Sequence, residues 1–347
     1  MPNLLENPPV VLSAFSATSV PLPARVPTPV GKNLSSLSCR RVVSFRPKAG
    51  SCFFLLASLL LFAAPTFSKE PPARPKIFGI VGLTFFSSDV PAASTFFQRV
   101  ADCGSSCALH DGSSSTTITL TTGQTIELKA VPQQKPVSLL EEVTFRTDSL
   151  DKLAEFLAAH RVKFSRTEDR GKLVRLSVLD PENHRIAFVD KKAYFLLKGD
   201  HSSRGIIHAG FVVHDRAAED KFYKDVLGFH VYWHGGMKDN VTDWLDMQVP
   251  DGTDWIEYML NIAPDASHHT LGVMNHCALG VPDIHAAQQQ LLKSDMKLTE
   301  EPKVGRDGKW QLNLYDPDDT RVELMEFKAV EKPCCSEFTG PNPGPTQ

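Results

Sequence analysis

Four residues carry most of the chemistry that can be read from this sequence: His208, Glu257, His276 and Glu323. Each histidine sits in an apolar run, "GIIHAGFVV" and "VMNHCALGV". A polar ring among apolar neighbours costs free energy unless something binds it. Alone, each reads as a core histidine bonded to a backbone carbonyl. The spacing adds more: Glu257 follows His208 by 49 positions, and Glu323 follows His276 by 47. Side chains alternate across a strand. Ile207, Ala209, Phe211 and Val213 therefore share one face and His208 takes the other. Cys277, Leu279 and Val281 likewise leave His276 opposite them, Glu257 shares a face with Trp255 and Met259, and Val322 and Leu324 leave Glu323 opposite. Two imidazoles and two carboxylates at one point form a mixed nitrogen and oxygen set. It suits one divalent metal, Fe, Mn, Ni, Co or Zn, and disfavours Cu(I). With octahedral coordination two positions stay open for water or substrate, as a catalytic metal requires.

The elements that must position these residues form a repeat. In "GIIHAGFVVHDRAAEDKFYKDVLGFHVYW" a strand precedes a helix that Asp215 can cap and Gly228 ends. "HVYWHG", "DWLDMQVP" and "DWIEYMLNI" then read as three strands. "GVMNHCALGV" opens the next copy as a strand. "PDIHAAQQQLLKSDM" follows as a helix with Pro282 in its first turn, and "KLTEEPK", "KWQLNLYDP" and "TRVELMEF" supply three more strands. Two weaker copies lie upstream, and matching positions fall at Ile80, Glu142, His208 and His276. One supersecondary unit is thus repeated four times. The expected fold class is α+β, with four βαβββ modules paired into two domains whose open sheets are cup-shaped. The boundaries are 76–195 for a degenerate first domain, 196–204 for a polar linker, 205–330 for the metal-binding domain and 331–347 for a flexible tail. In the first domain the corresponding residues are Ile80, Glu127, Glu142 and Ala187, so no comparable metal site is expected there. By apolar alternation Trp255, Asp246, Gln311 and Asn313 face the second cup as substrate-binding candidates, as does Gln248; His214, His230, His234, His268, His269 and His285 read as surface or rim.

"FYKDVLGF", "HCALGVPDI" and "YDPDDTRVELMEF" resemble the vicinal oxygen chelate superfamily of glyoxalases, bleomycin-resistance proteins and extradiol dioxygenases. The resemblance is strong over 205–328 and weaker over 77–190. It implies metal ligands at His208, Glu257, His276 and Glu323, in a pattern similar to glyoxalase I. It also implies a lyase or isomerase acting through an enediolate on an α-hydroxy-carbonyl small molecule, with Glu257 or Glu323 moving the proton between carbons. An extradiol-type ring-cleaving dioxygenase would use His208, His276 and Glu323 and leave Glu257 surplus. The tyrosine that such enzymes place three residues before the turn acid is not matched, because Tyr315 adjoins Asp316. A third reading is a non-catalytic binder of a small molecule or of the metal.

A net charge of −3 without a dense Lys/Arg block argues against nucleic acid as a partner. A small-molecule substrate is the expected partner, and a homodimer stays open. Residues 1–75 read as a leader. Arg40, Arg41, Arg46 and Lys48 precede an apolar run at 51–64, with small residues suited to cleavage near Ser68. Export to the periplasm or outside the cell is the expectation, with membrane anchoring by 51–64 as the alternative. Export favours disulfides. After Ser68 the cysteines are Cys103, Cys107, Cys277, Cys334 and Cys335; Cys103 and Cys107 could pair.

Overall fold

The computed structural model describes residues 72–102, 107–111, 115–134, 136–190 and 204–344. All of the expected leader but residues 72–75, with its apolar run and cleavage point, and all but one residue of the linker lie outside the described residues. Among those described, no helix is long and apolar enough to cross a membrane.

The repeat is realised as four modules. The first is β1 (Ile77–Ser87), α1 (Val90–Val100), β2 (Ala108–Asp111), β3 (Ser115–Thr119) and β4 (Thr125–Ala130). The second is β5 (Leu140–Thr147), α2 (Leu150–Ala159), β6 (Phe164–Asp169), β7 (Lys172–Leu179) and β8 (Arg185–Asp190). The third is β9 (Gly205–Val212), α3 (Arg216–Asp220) continued by a π-helical turn (Lys221–Val226), β10 (His230–Gly235), β11 (Trp244–Gln248) and β12 (Trp255–Met259). After a short helix α4 (His268–Met274), the fourth is β13 (His276–Val281), α5 (Ile284–Lys293), β14 (Lys303–Val304), β15 (Trp310–Tyr315) and β16 (Arg321–Glu326). Each pair of modules builds one eight-stranded mixed sheet, in the order β2-β3-β4-β1-β5-β8-β7-β6 and β10-β11-β12-β9-β13-β16-β15-β14. The fold is α+β, with two curled sheets and their helices.

Capping fixes where the module helices begin. Asp89, Ser149, Asp215 and Asp283 each accept a hydrogen bond from the backbone N–H three residues on, which satisfies an otherwise unpaired donor of the first turn. Asp283 is the cap of α5, so Pro282 stands before the helix instead of in its first turn. The helices cover one face of each sheet, where Ala209, Phe211, Val213, Cys277, Leu279, Val281, Val322 and Leu324 are buried as the alternation requires.

Four local readings need correction. The start of "VMNHCALGV" is not strand: Ser267 caps α4, which runs to Met274 before β13 starts at His276. "KLTEEPK" forms only the beginning of a two-residue strand, Lys303–Val304. Ile207 does not join the helix-side core; it packs with Tyr232, Trp233, Trp255, Ala278 and Met325 inside the cup. The cause is a bulge. Leu279 pairs with Ile206 while Ala278 pairs with His208, so Ile207 is the extra residue. The first sheet repeats it: Phe145 pairs with Ile80 and Thr144 with Gly82, leaving Val81 over. Gly82, not Ile80, is therefore the counterpart of His208. Ile80 matches Ile206, and both are tied into the same junction, where Gln124 Nε2 donates to both carbonyls.

Residues 331–344, expected as part of a flexible tail, lie across the outer strands of the second sheet. Trp233 Nε1 donates to the Cys334 carbonyl, Gln248 Nε2 to the Pro341 carbonyl and Tyr232 to Asn342 Oδ1, and Phe338 stacks on Tyr232 with centroids 4.8 Å apart. Cys334 and Cys335 are bonded to each other. Cys107 is also disulfide-bonded, while Cys103 lies outside the described residues.

Candidate metal centre

The four residues singled out in the sequence come from the four central strands of the second sheet, and β9, β12, β13 and β16 turn them into one cup. Parallel pairing sets Glu257 of β12 level with Gly210 of β9, and antiparallel pairing sets His276 of β13 level with the same glycine. Glu323 of β16 is level with Ala278, which is itself level with His208. The glycine makes room: a Cβ at 210 would collide with the His276 ring.

His208 Nε2 and His276 Nε2 lie 3.2 Å apart. Glu257 Oε2 is 3.1 Å from His276 Nε2 and 3.8 Å from His208 Nε2, and Glu323 Oε2 is 3.6 Å from His208 Nε2. Both imidazoles are buried, Glu323 nearly so, and Glu257 reaches the cavity with 14% of its side chain exposed. His208, Glu257 and His276 have ligand atoms all within 4.8 Å of one another. Glu323 joins through His208.

Two features fit a cation at this point. His276 Nδ1 lies 3.0 Å from the Met274 carbonyl and must donate its proton there, which leaves the Nε2 lone pair facing inward. Burial pushes the pKa of His208 well down; burial and the Arg321 guanidinium push that of His276 down. Both rings are thus held as neutral donors, the form a metal requires. Two neutral imidazoles beside two carboxylates make the donor set of a mixed nitrogen and oxygen site.

His208, Glu257 and Glu323 line a cavity of about 350 Å³. All four substrate-binding candidates, Trp255, Asp246, Gln311 and Asn313, line it. Trp255 also packs on His208, with ring centroids 4.7 Å apart. Gln248 does not line it; its amide is bonded to the Thr253 and Pro341 carbonyls. Burial and the neighbouring Glu257 push the Asp246 pKa well up, so its carboxyl is held protonated. Burial raises that of Glu323 to about 8.

Two residues absent from the sequence reading belong to this site. Arg321 lines the cavity, and its Nη2 is 2.7 Å from His276 Nε2, the atom that a cation needs. Its position two residues before Glu323 gives it the same strand face, so parity alone could have found it. Lys309 is fully buried, with Nζ 4.8 Å from the Trp255 ring centroid, 4.9 Å from Phe338 and 5.1 Å from Tyr232. An ammonium over three aromatic faces is held by their quadrupoles. Burial lowers its pKa, while Asp307 and Asp246 oppose the shift. Its cage comes from β10, β12 and the C-terminal segment, and no local pattern announces it.

In the first sheet the corresponding residues are Gly82, Glu127, Glu142 and Ala187, by register with Thr84 and Thr144. Glu127 accepts from Thr84 and pairs with Lys129, and Glu142 pairs with Arg175. Both carboxylates are thus engaged where the second cup has its ligand cluster.

Comparison with known proteins agrees with the fold. Residues 205–324 match the family model of the Glyoxalase/Bleomycin resistance protein/Dioxygenase superfamily. Solved structures similar to the chain include homoprotocatechuate 2,3-dioxygenase from Arthrobacter globiformis, at TM-score 0.55 and 14% identity over 76% of this chain and 84% of that one. The substrate complex of the Brevibacterium fuscum enzyme with 3,4-dihydroxyphenylacetate aligns at TM-score 0.53 and 15% identity, over 77% and 87%. At such identity the likeness is one of fold. No curated protein matches the chain.

Proposed function

We propose that the protein, whose residues 205–324 match the family model of the Glyoxalase/Bleomycin resistance protein/Dioxygenase superfamily, is a divalent-metal-dependent enzyme acting on a small molecule that presents two neighbouring oxygens. The observation that carries the reading is the convergence of His208, His276 and Glu257, with Glu323 beside them, at a cavity that His208, Glu257 and Glu323 line. A bound divalent metal would supply the positive charge that stabilises an enediolate of the substrate. His208 and His276 would hold it as neutral donors.

Glu257 is the carboxylate best placed to move the proton between adjacent carbons, since it borders both the cluster and the cavity. Glu323 is more deeply buried and is placed to hold charge. Trp233, Trp244 and Trp255 provide flat apolar walls, while Gln311 and Asn313 offer amide donors and acceptors. A glyoxalase-like lyase or isomerase uses all four donors, and this is the reading we favour. The test is turnover of α-hydroxy-carbonyl and α-keto-aldehyde thiol adducts by the metal-loaded protein, with Glu257→Gln as the inactive control.

The two-sheet architecture, which aligns with extradiol dioxygenases over most of both chains, favours a second reading: a ring-cleaving dioxygenase using His208, His276 and Glu323. Oxygen uptake with catechols would select it. Export of the mature chain is a further part of the proposal, tested by N-terminal sequencing of the protein recovered from its own cell.

A further inference from the structure

We propose that a second divalent cation site, independent of the cup, lies where the first half of the protein meets the second, with Asp180, His184 and Glu219 as its ligands. Their ligand atoms all lie within 4.8 Å of one another. Asp180 and His184 sit in the turn between β7 and β8, and Glu219 lies in α3, so the site would join the two halves.

The residues are built around a gap in their hydrogen bonding. Asp180 Oδ1 accepts from the N–H groups of Glu182 and His184 and shapes the turn. Its Oδ2 lies 2.8 Å from His184 Nδ1 and accepts from the Tyr223 hydroxyl at 3.0 Å. Glu219 Oε1 accepts from the Glu182 N–H at 2.9 Å. Glu219 Oε2 receives no hydrogen bond, although Glu219 is fully buried. A buried carboxylate oxygen left without a donor beside a second buried carboxylate is costly unless a cation or a shared proton lies between them; burial and the facing Asp180 carboxylate push the Glu219 pKa up to about 9.

The fold does not require these side chains, because it builds the same junction a second time without them. In the turn between β15 and β16, Asp316 Oδ1 accepts from the N–H groups of Asp318 and Thr320, as Asp180 Oδ1 does from Glu182 and His184. Asp318 accepts from Ser87 and Ser88 just before α1, as Glu182 accepts from His214 and Asp215 just before α3. Counting from the helix caps Asp89 and Asp215, Ala93 stands where Glu219 does and Phe97 where Tyr223 does; Thr320 stands where His184 does. Ala93, Phe97 and Thr320 are fully buried and supply no ligand set. One junction therefore closes with apolar packing and the other carries two carboxylates, an imidazole and a phenol. One nitrogen and two oxygens suit a borderline cation of the zinc kind, with a fourth position for water. His184 is 21% exposed, which gives such an ion a route from solvent.

The probe is Zn²⁺ alone, measured by equilibrium dialysis and elemental analysis on chelator-stripped protein. A His208→Ala/His276→Ala double variant, which disables the cup, should still bind one equivalent. Adding Glu219→Gln, or His184→Phe, which keeps the ring on Phe211, should weaken that binding at least a hundredfold. Should the double variant fail to fold, the parent should bind two equivalents and Glu219→Gln one. No zinc in the folded double variant, or one equivalent indifferent to both junction substitutions, overturns the proposal and leaves a proton shared between Asp180 and Glu219. Absence of binding only at the junction would overturn the proposal without touching the enzymatic reading, and absence only at the cup would do the reverse.

Discussion

Gly210→Ala tests the cup without removing a ligand. The glycine lies on β9 directly against His276. With a Cβ added, Nε2 of that ring would stand 3.0 Å away and Cε1 closer still. Nonbonded carbon prefers about 3.5 Å or more, so the imidazole must retreat by roughly 1 Å. Metal–ligand distances tolerate only about 0.2 Å of deviation, and His276 cannot simply pivot because Nδ1 is tied to the Met274 carbonyl. The substitution should therefore disconnect one of the histidines. Disturbing a residue that merely orients a ligand costs about 10–100-fold in metal affinity, so displacing the ligand itself should cost at least about 100-fold, or ~2.7 kcal/mol. Overpacking should lower stability by about 1–3 kcal/mol, leaving the fold measurable by circular dichroism. The assay is competition for Mn²⁺ or Zn²⁺ against a chromophoric chelator, in a Glu219→Gln background. Affinity within threefold of the parent, with the fold intact, would refute the placement of His276 in a metal centre.

Arg321→Met should tighten metal binding by about tenfold, because it removes a positive charge and a competing donor from His276 Nε2; weaker binding would mean that Arg321 holds the imidazole in place. Lys309→Met should destabilise the protein by about 2–4 kcal/mol in urea denaturation, since it leaves Asp307 buried without its cation; a loss under about 0.5 kcal/mol would contradict the role given to the caged ammonium. Burial raises the Asp316 pKa to about 6, so the folded protein holds that proton more tightly than the unfolded chain. Its contribution to stability is then largest below the ordinary carboxylate range and is lost as pH rises through 6. Asp316→Asn, whose amide oxygen can keep the turn bonds, should flatten the stability profile between about pH 4 and 6, and an unchanged slope in pH-dependent melting would rule this out.

The site was legible wherever strand alternation alone decides direction. Glu257 and Glu323 each sit between residues buried against the helices, and Ala209 and Cys277, which follow His208 and His276, are buried there too, which leaves the cup for the polar groups. Alternation failed at the bulges. A bulge inserts one residue without a compositional mark, which is why Ile207 changed sides and why Gly82 replaced Ile80 as the counterpart of His208. The Lys309 cage was not legible, because Tyr232, Trp255 and Phe338 meet only after the C-terminal segment folds back over the sheet. α4 was missed for a local reason: its Ser267 cap precedes only seven helical residues, too few to show an apolar period.

The most direct measurement is the divalent metal content of the Glu219→Gln protein, where the junction contributes none, together with its His208→Ala and Glu257→Gln derivatives. One equivalent per chain, lost on removing His208 and weakened on neutralising Glu257, is the expected result. A folded Glu219→Gln protein that takes up no divalent metal would contradict the assignment of the cup as a metal centre.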